Sequence, residues 1–373
     1  MINVQITYVL ELLKPTKKKQ NIFFNNIEQV TKNRQDIASK IKANETKLTS
    51  ADFKGINLPS VVINQNIREV KSLYNRFKQS NSKKENIEFK PNQPICYNNQ
   101  SYNIDRHIIS IPLFHNGKCQ RFAFPVKQTN RLQDLKEHIE NDYKLAKGSL
   151  FYKNSKWYFA VTIKLENREN KGANIMGIDI GLRQLAVASV VNTEGKEINR
   201  QFHNGKKAGF IRKKYRFLRR KLGRAKRLEK INSINNKEQR WIRDLNHKIS
   251  RQLVNLAVQE HVGTIVMENL KNIRKTAKSI KKADRNINSW AFYELQQFIE
   301  YKAKLAGIKI IYINPKYTSQ RCSKCGKIEK GNRKGNLYSC NCGNRIHADL
   351  NASRNIAKKY LETICLDGNS LSA

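Results

Sequence analysis

Two apolar runs in the second half of the chain each break off at a carboxylate. Residues 174–179 read NIMGID and residues 263–268 read GTIVME, so Asp179 and Glu268 stand at the ends of apolar strands, the second read as buried. A strand-like LAVASVV at 185–191 follows the first run. IKIIYIN at 308–314 follows the second, after a helical WAFYELQQFIEYKAKLAG closed by Gly307. A basic helical stretch spans about 206–262, and HADLNASRNIAKKYLE at 347–362 reads as a final helix. This alternation predicts an α/β domain from residue 174 onward.

The first half is patterned differently. Residues 1–14 alternate apolar and polar, and 17–88 are polar, rich in Lys and Asn and helix-compatible. Between 88 and 166 short alternating runs return (HIISIPLF, QRFAFPV, GSLFYK, KWYFAVTIKL), as in a small antiparallel sheet or barrel. A first strand whose partners lie beyond a helical stretch predicts a helical insertion in a β domain. A chain of 373 residues is expected to hold two or three domains at ~150 residues each, here α+β followed by α/β.

The acids gain meaning from their scarcity. The chain carries 72 Lys and Arg against 30 Asp and Glu, a formal charge of +42. Self-repulsion at this charge opposes compaction, and counterion release makes a nucleic acid the natural compensating partner. Asp179, Glu268 and Asp349, the last at the start of the final helix, come from elements that can be neighbours in one sheet. Each alone also suits a turn former or a helix cap. Clustered, they would repel unless cations bridged them. Two Mg²⁺ held in this way would activate a water and stabilise the leaving oxygen in phosphodiester cleavage.

Between 206 and 230, thirteen of 25 residues are Lys or Arg and only Glu229 is acidic. Salt-bridged surface helices mix signs, and this one barely does. Arg212, Lys213, Lys214, Arg216, Arg219, Arg220 and Arg224 are therefore candidates for phosphate contact, with Phe210, Tyr215, Phe217 and Leu218 interleaved to anchor the helix. A second basic segment, 271–285, suits either a guide for single-stranded DNA or a solvated loop. In the first half Tyr74, Arg76, Lys78, Tyr97, Tyr102 and Arg106 mix aromatics with cations as nucleic-acid surfaces do, although core packing is the default for each ring.

Four of the seven cysteines fall between 322 and 342. Cys322-x-x-Cys325 and Cys340-x-Cys342, each pair followed by a glycine, predict one tetrahedral Zn²⁺ site that is structural because four thiolates leave no open position. The alternative is a set of reduced thiols. His347 is read as supporting the neighbouring Asp349, and Arg345 as a contact to the scissile phosphate. No apolar run approaches the ~18 residues of a membrane span, and the first residues, with Glu11 and no basic region, do not read as a secretory signal. An intracellular location is expected.

MGIDIGLRQLAV, IVMENL and HADLNASRNIA resemble the three RuvC motifs of the TnpB family, transposon-encoded RNA-guided DNA endonucleases related to type V CRISPR effectors. The linking NSWAFYELQQFIEYKAKLAGIKIIYINPKYTSQRCSKCG is similar too, so the resemblance covers about 172–362, and the first half matches in layout only. It implies a wedge-like N-terminal β-barrel of residues 1–16 and 88–171, interrupted by a helical recognition insertion at 17–87. An RNase H-like RuvC nuclease domain would follow at 172–373, with a zinc-binding insertion at 316–346. It further implies that Asp179, Glu268 and Asp349 hold two Mg²⁺ as the catalytic residues, that one Zn²⁺ is structural, and that a guide RNA is bound. The basic helix would lie along the heteroduplex of guide and target. Implied partners are the guide RNA and double-stranded target DNA beside a short adjacent motif, cut on both strands by one site to leave 5′-phosphate and 3′-hydroxyl ends. No membrane is implied, and the chain would act as a monomer within its ribonucleoprotein in the prokaryotic cytoplasm, on the nucleoid when DNA-bound. A compact type V CRISPR effector, or an intermediate between transposon and CRISPR proteins, with the same chemistry, and a guide-directed repressor without cleavage, are the other readings.

Overall fold

Strand β1 (Ile2–Glu11) does not pair with its neighbour in sequence. Helices α1 (Lys17–Lys42) and α2 (Ser60–Gln79) intervene before β2 (Ile95–Tyr97), and β1 instead pairs with β7 (Lys156–Asn167) in a sheet ordered β1-β7-β6-β2, where β6 is Lys144–Lys153. A second antiparallel sheet holds β3 (Asn103–Asp105), β4 (Ile108–His115) and β5 (Lys118–Pro125), and α3 (Asn130–Glu140) follows it. Apart from the first three residues of β1 and the last of β7, these elements belong to one unit, Gln5–Glu166, in a computed structural model that describes residues 2–45, 47–79, 87–141, 143–167, 170–270 and 292–369. The basic segment 271–285 lies outside the described residues.

A bridge between Leu12 and Val126 carries the line of β1 onto the end of β5. The strands therefore run as one curved series, but no pairing joins its two ends, β2 and β3, among the described residues. Among the described residues the strands of the expected barrel thus form two sheets whose end strands, β2 and β3, are three residues long and unpaired with each other. Its core is aromatic: the Phe23 ring of α1 meets Phe124 at 5.4 Å and Trp157 at 4.9 Å, both edge to face. Tyr97 and Tyr102 are buried in this core, so they pack rather than reach nucleic acid. Between α1 and α2 the buried Arg34 donates to Glu69 at 2.7 Å and to Asn66 at 3.0 Å, a polar tie whose charge is paired as burial demands.

The second unit, Met1–Val4 with Asn167–Ala373, is built on a five-stranded mixed sheet. Its order is β10-β9-β8-β11-β12, with β8 at Asn174–Asp179, β9 at Gln184–Val191, β10 at Glu197–Asn204, β11 at Val262–Glu268 and β12 at Lys309–Ile313. β8, β11 and β12 are parallel, whereas β9 and β10 are antiparallel additions at one edge. Helices α4 (Lys206–Arg224), α5 (Leu228–Ile234) and α6 (Lys237–Gln259) connect β10 to β11, and α7 (Phe292–Leu305) precedes β12. One face of the sheet packs Met176, Ile178, Ala188 and Ile265 against Leu253 and Val254 of α6 and Leu295 and Ile299 of α7. The other face packs Ile175, Val191 and Val266 against Ile356 and Ala357 of α8 (Ala348–Asn369). Burial on both faces explains why these strands read as unbroken apolar runs.

The long helix expected over 206–262 is three helices. The backbone takes positive φ at Lys226 (51°) and Asn235 (48°), and such residues end helices. α8 approaches the sheet unusually closely at Gly177, where a Cβ would lie 2.1 Å from the Ser353 carbonyl oxygen. Only glycine admits that contact, which sets the depth at which the helix rests on β8.

Candidate active site and metal centre

The register of the parallel strands places Met267 opposite Ile178, so the next residue of each strand, Glu268 and Asp179, emerges at the same edge of the sheet. Asp349 is the second residue of α8, whose body packs on β8, β9 and β11. Three carboxylates distant in sequence thus come together within one unit. Their mutual influence is strongest at Asp179: burial first, then the negative charges of Glu268 and Asp349, push its carboxyl up to about 8 against the pull of Arg333. Burial also raises the Glu268 carboxyl, opposed by the hydroxyl of Thr318 and the charge of Lys359.

Each of the other two acids has a partner that holds it back from its neighbours. Thr318 Oγ1 donates to Glu268 Oε1 at 2.5 Å, and Gln296 Nε2 donates to the Glu268 backbone carbonyl at 2.7 Å. Arg333 Nη2 donates to Asp349 Oδ1 at 2.7 Å. The three carboxylates accordingly do not share a single point: among the described residues, only the four clustered cysteines have their ligand atoms all within 4.8 Å of one another. The raised Asp179 carboxyl is nevertheless what a cation-binding acid cluster shows when the like charges must otherwise be relieved by protons.

The cysteines close a compact site. Sγ of Cys322 lies 3.6 Å from that of Cys342, and Sγ of Cys325 lies 3.7 Å from that of Cys340. A tetrahedron with Zn–S bonds of about 2.3 Å has edges of about 3.8 Å, so the set fits one Zn²⁺. Two glycine turns make this possible: Gly326 (φ +76°) donates its N–H to the Cys322 carbonyl, and Gly343 (φ +81°) donates to that of Cys340. The single residue between Cys340 and Cys342 does not keep either thiol from the group. Burial opposes ionisation of Cys322, but the backbone N–H groups of Cys325 and Lys324 and the Asn344 amide outweigh it and hold the thiol down to about 6. The same segment forms a hairpin sheet of β13 (Arg333–Lys334), β14 (Leu337–Ser339) and β15 (Arg345–His347) around buried Tyr338.

That hairpin leads directly into Asp349. The imidazole Nδ1 of His347 accepts the Asp349 backbone N–H at 3.3 Å, and its ring meets Phe202 edge to face at 5.4 Å. His347 is thereby turned to capping α8. Arg345 is exposed on β15, and the guanidinium that engages the acids is that of Arg333. Sequence reading missed Arg333 and Thr318; the only signal for Arg333 was its place in the basic GNRKGN loop between the cysteine pairs.

α4 carries the predicted cations, but its side chains differ from expectation in two respects. Arg219 is paired with Glu238 of α6 and braces the helix instead of facing outward free. Phe210 and Phe217 are 64% and 70% exposed, so they do not anchor α4; its buried contact is Ala208. Lys213, Lys214, Arg216, Arg220 and Arg224 are exposed, and Arg212 is half-buried.

Residues 158–274 match a family model described as "Probable transposase", and residues 292–356 match one described as "Cas12f1-like, TNB domain". A CRISPR-associated endodeoxyribonuclease Cas12f1 of Sulfoacidibacillus thermotolerans is 36% identical over 249 residues, covering 61% of this chain and 56% of that protein. A TnpB-like protein of Methanocaldococcus jannaschii is 40% identical over 126 residues, covering 33% of this chain and 44% of that protein. The chain thus spans about half the length of these curated relatives. A solved structure described as a cryo-EM structure of the Cas12f1-sgRNA-target DNA complex matches with TM-score 0.70 at 17% identity, over 96% of this chain and 99% of that one, which shows a shared fold. Among the described residues no helix is long and apolar enough to cross a membrane.

Proposed function

We propose that this chain, whose sequence resembles TnpB and Cas12f proteins and whose fold is shared with Cas12f1, is an RNA-guided DNA endonuclease. A guide RNA pairs with target DNA beside a short adjacent motif, and one site cuts both strands. The observation that carries this reading is that Asp179 and Glu268 emerge at one sheet edge and that Asp349 of α8 acts with Glu268 on the Asp179 carboxyl, in a chain of charge +42 whose other acids are few. Residues 172–373 act as the RuvC-like nuclease with the zinc module at 316–346, and residues 1–16 with 88–171 act as the wedge around a recognition insertion at 17–87. The prokaryotic cytoplasm is the matching location.

The three carboxylates are the residues that would hold two Mg²⁺, which when bound supply the Lewis-acid charge for phosphodiester hydrolysis. The chain's own contributions are positional. Thr318 orients Glu268, Gln296 fixes the backbone that bears it, and His347 caps the helix that presents Asp349. Arg333 neutralises Asp349 and so competes with any cation for it. Arg333→Ala is therefore expected to tighten Mn²⁺ binding to the nucleic-acid-free chain several-fold, measured by titration against the free-ion electron paramagnetic resonance signal. Unchanged or weaker binding would show that the guanidinium is no competitor.

The exposed cations of α4 are assigned to phosphates. Converting Lys213, Lys214 and Arg220 to Gln is expected to lower the salt dependence of nucleic-acid binding by roughly one unit of slope for each phosphate that no longer meets a cation. A variant with wild-type slope would remove α4 from the interface.

The test of the whole reading is to express the chain with its flanking DNA, sequence the RNA that copurifies, and add a plasmid carrying the matching target with Mg²⁺. Linear product is expected; supercoiled plasmid left intact by wild type would remove the nuclease reading and favour a guide-directed repressor. The likeness to Cas12f1 favours one second reading, a compact CRISPR effector. Repeat-derived RNA in the copurified pool selects it, and RNA from a transposon end selects the TnpB type.

A further inference from the structure

α4 is held by little of its own surface. Ala208 is its buried residue, ten of its 19 positions are Lys or Arg, and none is acidic. On this helix Phe210 and Phe217 are left largely in solvent. They are seven residues apart, two turns of helix, so they share one side and stand about 10.5 Å apart along the axis. Lys213, Lys214, Arg220 and Lys221, three and four residues beyond each ring, flank them.

Phe210 also forms part of the wall of a cleft of about 640 Å³, where Leu182 offers apolar surface and Arg183, Lys213 and Arg216 offer positive charge. Leu182 is three residues beyond Asp179, in the turn that leads from β8 to β9.

A duplex keeps its base faces stacked on one another and shows a protein helix only phosphates and groove edges, for which Lys and Arg suffice. Exposed rings interleaved with cations suit a strand whose bases are unpaired: the rings take base faces and the cations take the phosphates between them. A spacing of about 10.5 Å corresponds to three nucleotides at a stacked 3.4 Å each. A second copy of the chain is a poor occupant, because two such faces would set Lys213, Lys214, Arg220 and Lys221 of one copy against the same cations of the other.

We infer that Phe210 and Phe217 form a stacking platform for unpaired nucleobases, and that the outer face of α4 binds a single strand rather than the heteroduplex. This rests on the nucleic-acid reading above and narrows it to one strand type.

The test uses the full chain with fluorescein-labelled 20-nucleotide oligo(dT), oligo(U) and a 20-base-pair DNA duplex at one salt concentration. Phe210→Ala/Phe217→Ala is expected to lose about tenfold in single-strand affinity per ring, with duplex affinity and melting temperature unchanged. Phe217→Trp is expected to keep single-strand binding and to show indole fluorescence quenched by the strand. The ratio of dT to U affinity tells whether the strand is DNA or RNA. Equal losses on single strand and duplex, no loss at all, or a wild-type dimer that the double variant dissolves without change in single-strand affinity would each overturn the platform. Failure of the wild type to bind any of the three probes would remove the nucleic-acid reading as well.

Discussion

Asp179→Ala is expected to reduce target cleavage about a thousandfold or more while leaving binding of guide and target within a few-fold of wild type, because without this carboxylate the proposed metal site is incomplete and the charge stabilisation it would supply, several kcal/mol, is lost. The reason to single out Asp179 is that burial and both other acids act on it, which makes it the most perturbed of the group. Its carboxyl, raised to about 8 in the fold, binds a proton that the unfolded chain releases near the ordinary carboxylate value of 3.8. The proton-linked stability is full below about pH 4 and is lost as pH rises through about 8. In EDTA the wild type should therefore melt at lower temperature at pH 8.5 than at pH 6, and Asp179→Asn should flatten that difference. Because a cation must displace the proton, Mg²⁺ binding at pH 7 should release protons, read by calorimetry in buffers of different ionisation enthalpy, and cleavage should rise from pH 6 to pH 8. A melting curve that ignores pH in wild type and variant alike would mean that the three acids do not share a site.

The second large effect concerns the cysteines. Cys340→Ser/Cys342→Ser, or removal of zinc by a strong chelator, is expected to lower the melting temperature by on the order of 10 °C and to abolish cleavage together with it. The segment from Cys322 to His347 has Tyr338 and a few small neighbours as its own core, too little to fold without a metal. Two residues that bear on the candidate site depend on it: Arg333 stands on its hairpin and Asp349 follows its last strand. Elemental analysis should return one zinc per chain, whereas Cys96→Ser and Cys119→Ser should leave the zinc content unchanged. A zinc-free wild type with the same melting temperature would reduce the cluster to unligated thiols.

The strands bearing Asp179 and Glu268 were legible because a sheet buried on both faces writes itself as uninterrupted apolar sequence, and the four cysteines because ligand spacing is local. What encloses the acids was not. Arg333 and Thr318 come from other segments, and a cation sixteen residues from its partner looks like any other in a chain with 72 of them. The exposure of Phe210 and Phe217 was equally hidden, since aromatic residues on a helix are by default its anchor and only the packing reveals how little covers them. The breaks at Lys226 and Asn235 escaped for a simpler reason: neither residue is the glycine or proline that usually marks such a turn. In the first unit the alternating strands were readable, but closure of a barrel depends on edges meeting, and β2 and β3 are too short to announce whether theirs do.

The close seat of α8 on Gly177 has a consequence for how the protein is made. β8 and β11 leave the ribosome well before α8, so a growing chain exposes its basic helix and two of its acids while the third is still unsynthesised. Such a chain carries its exposed cations but has only two of the three acids. If the three acids form the proposed nuclease site, the final helix acts as a timer: the cluster is complete only once α8 docks over β8.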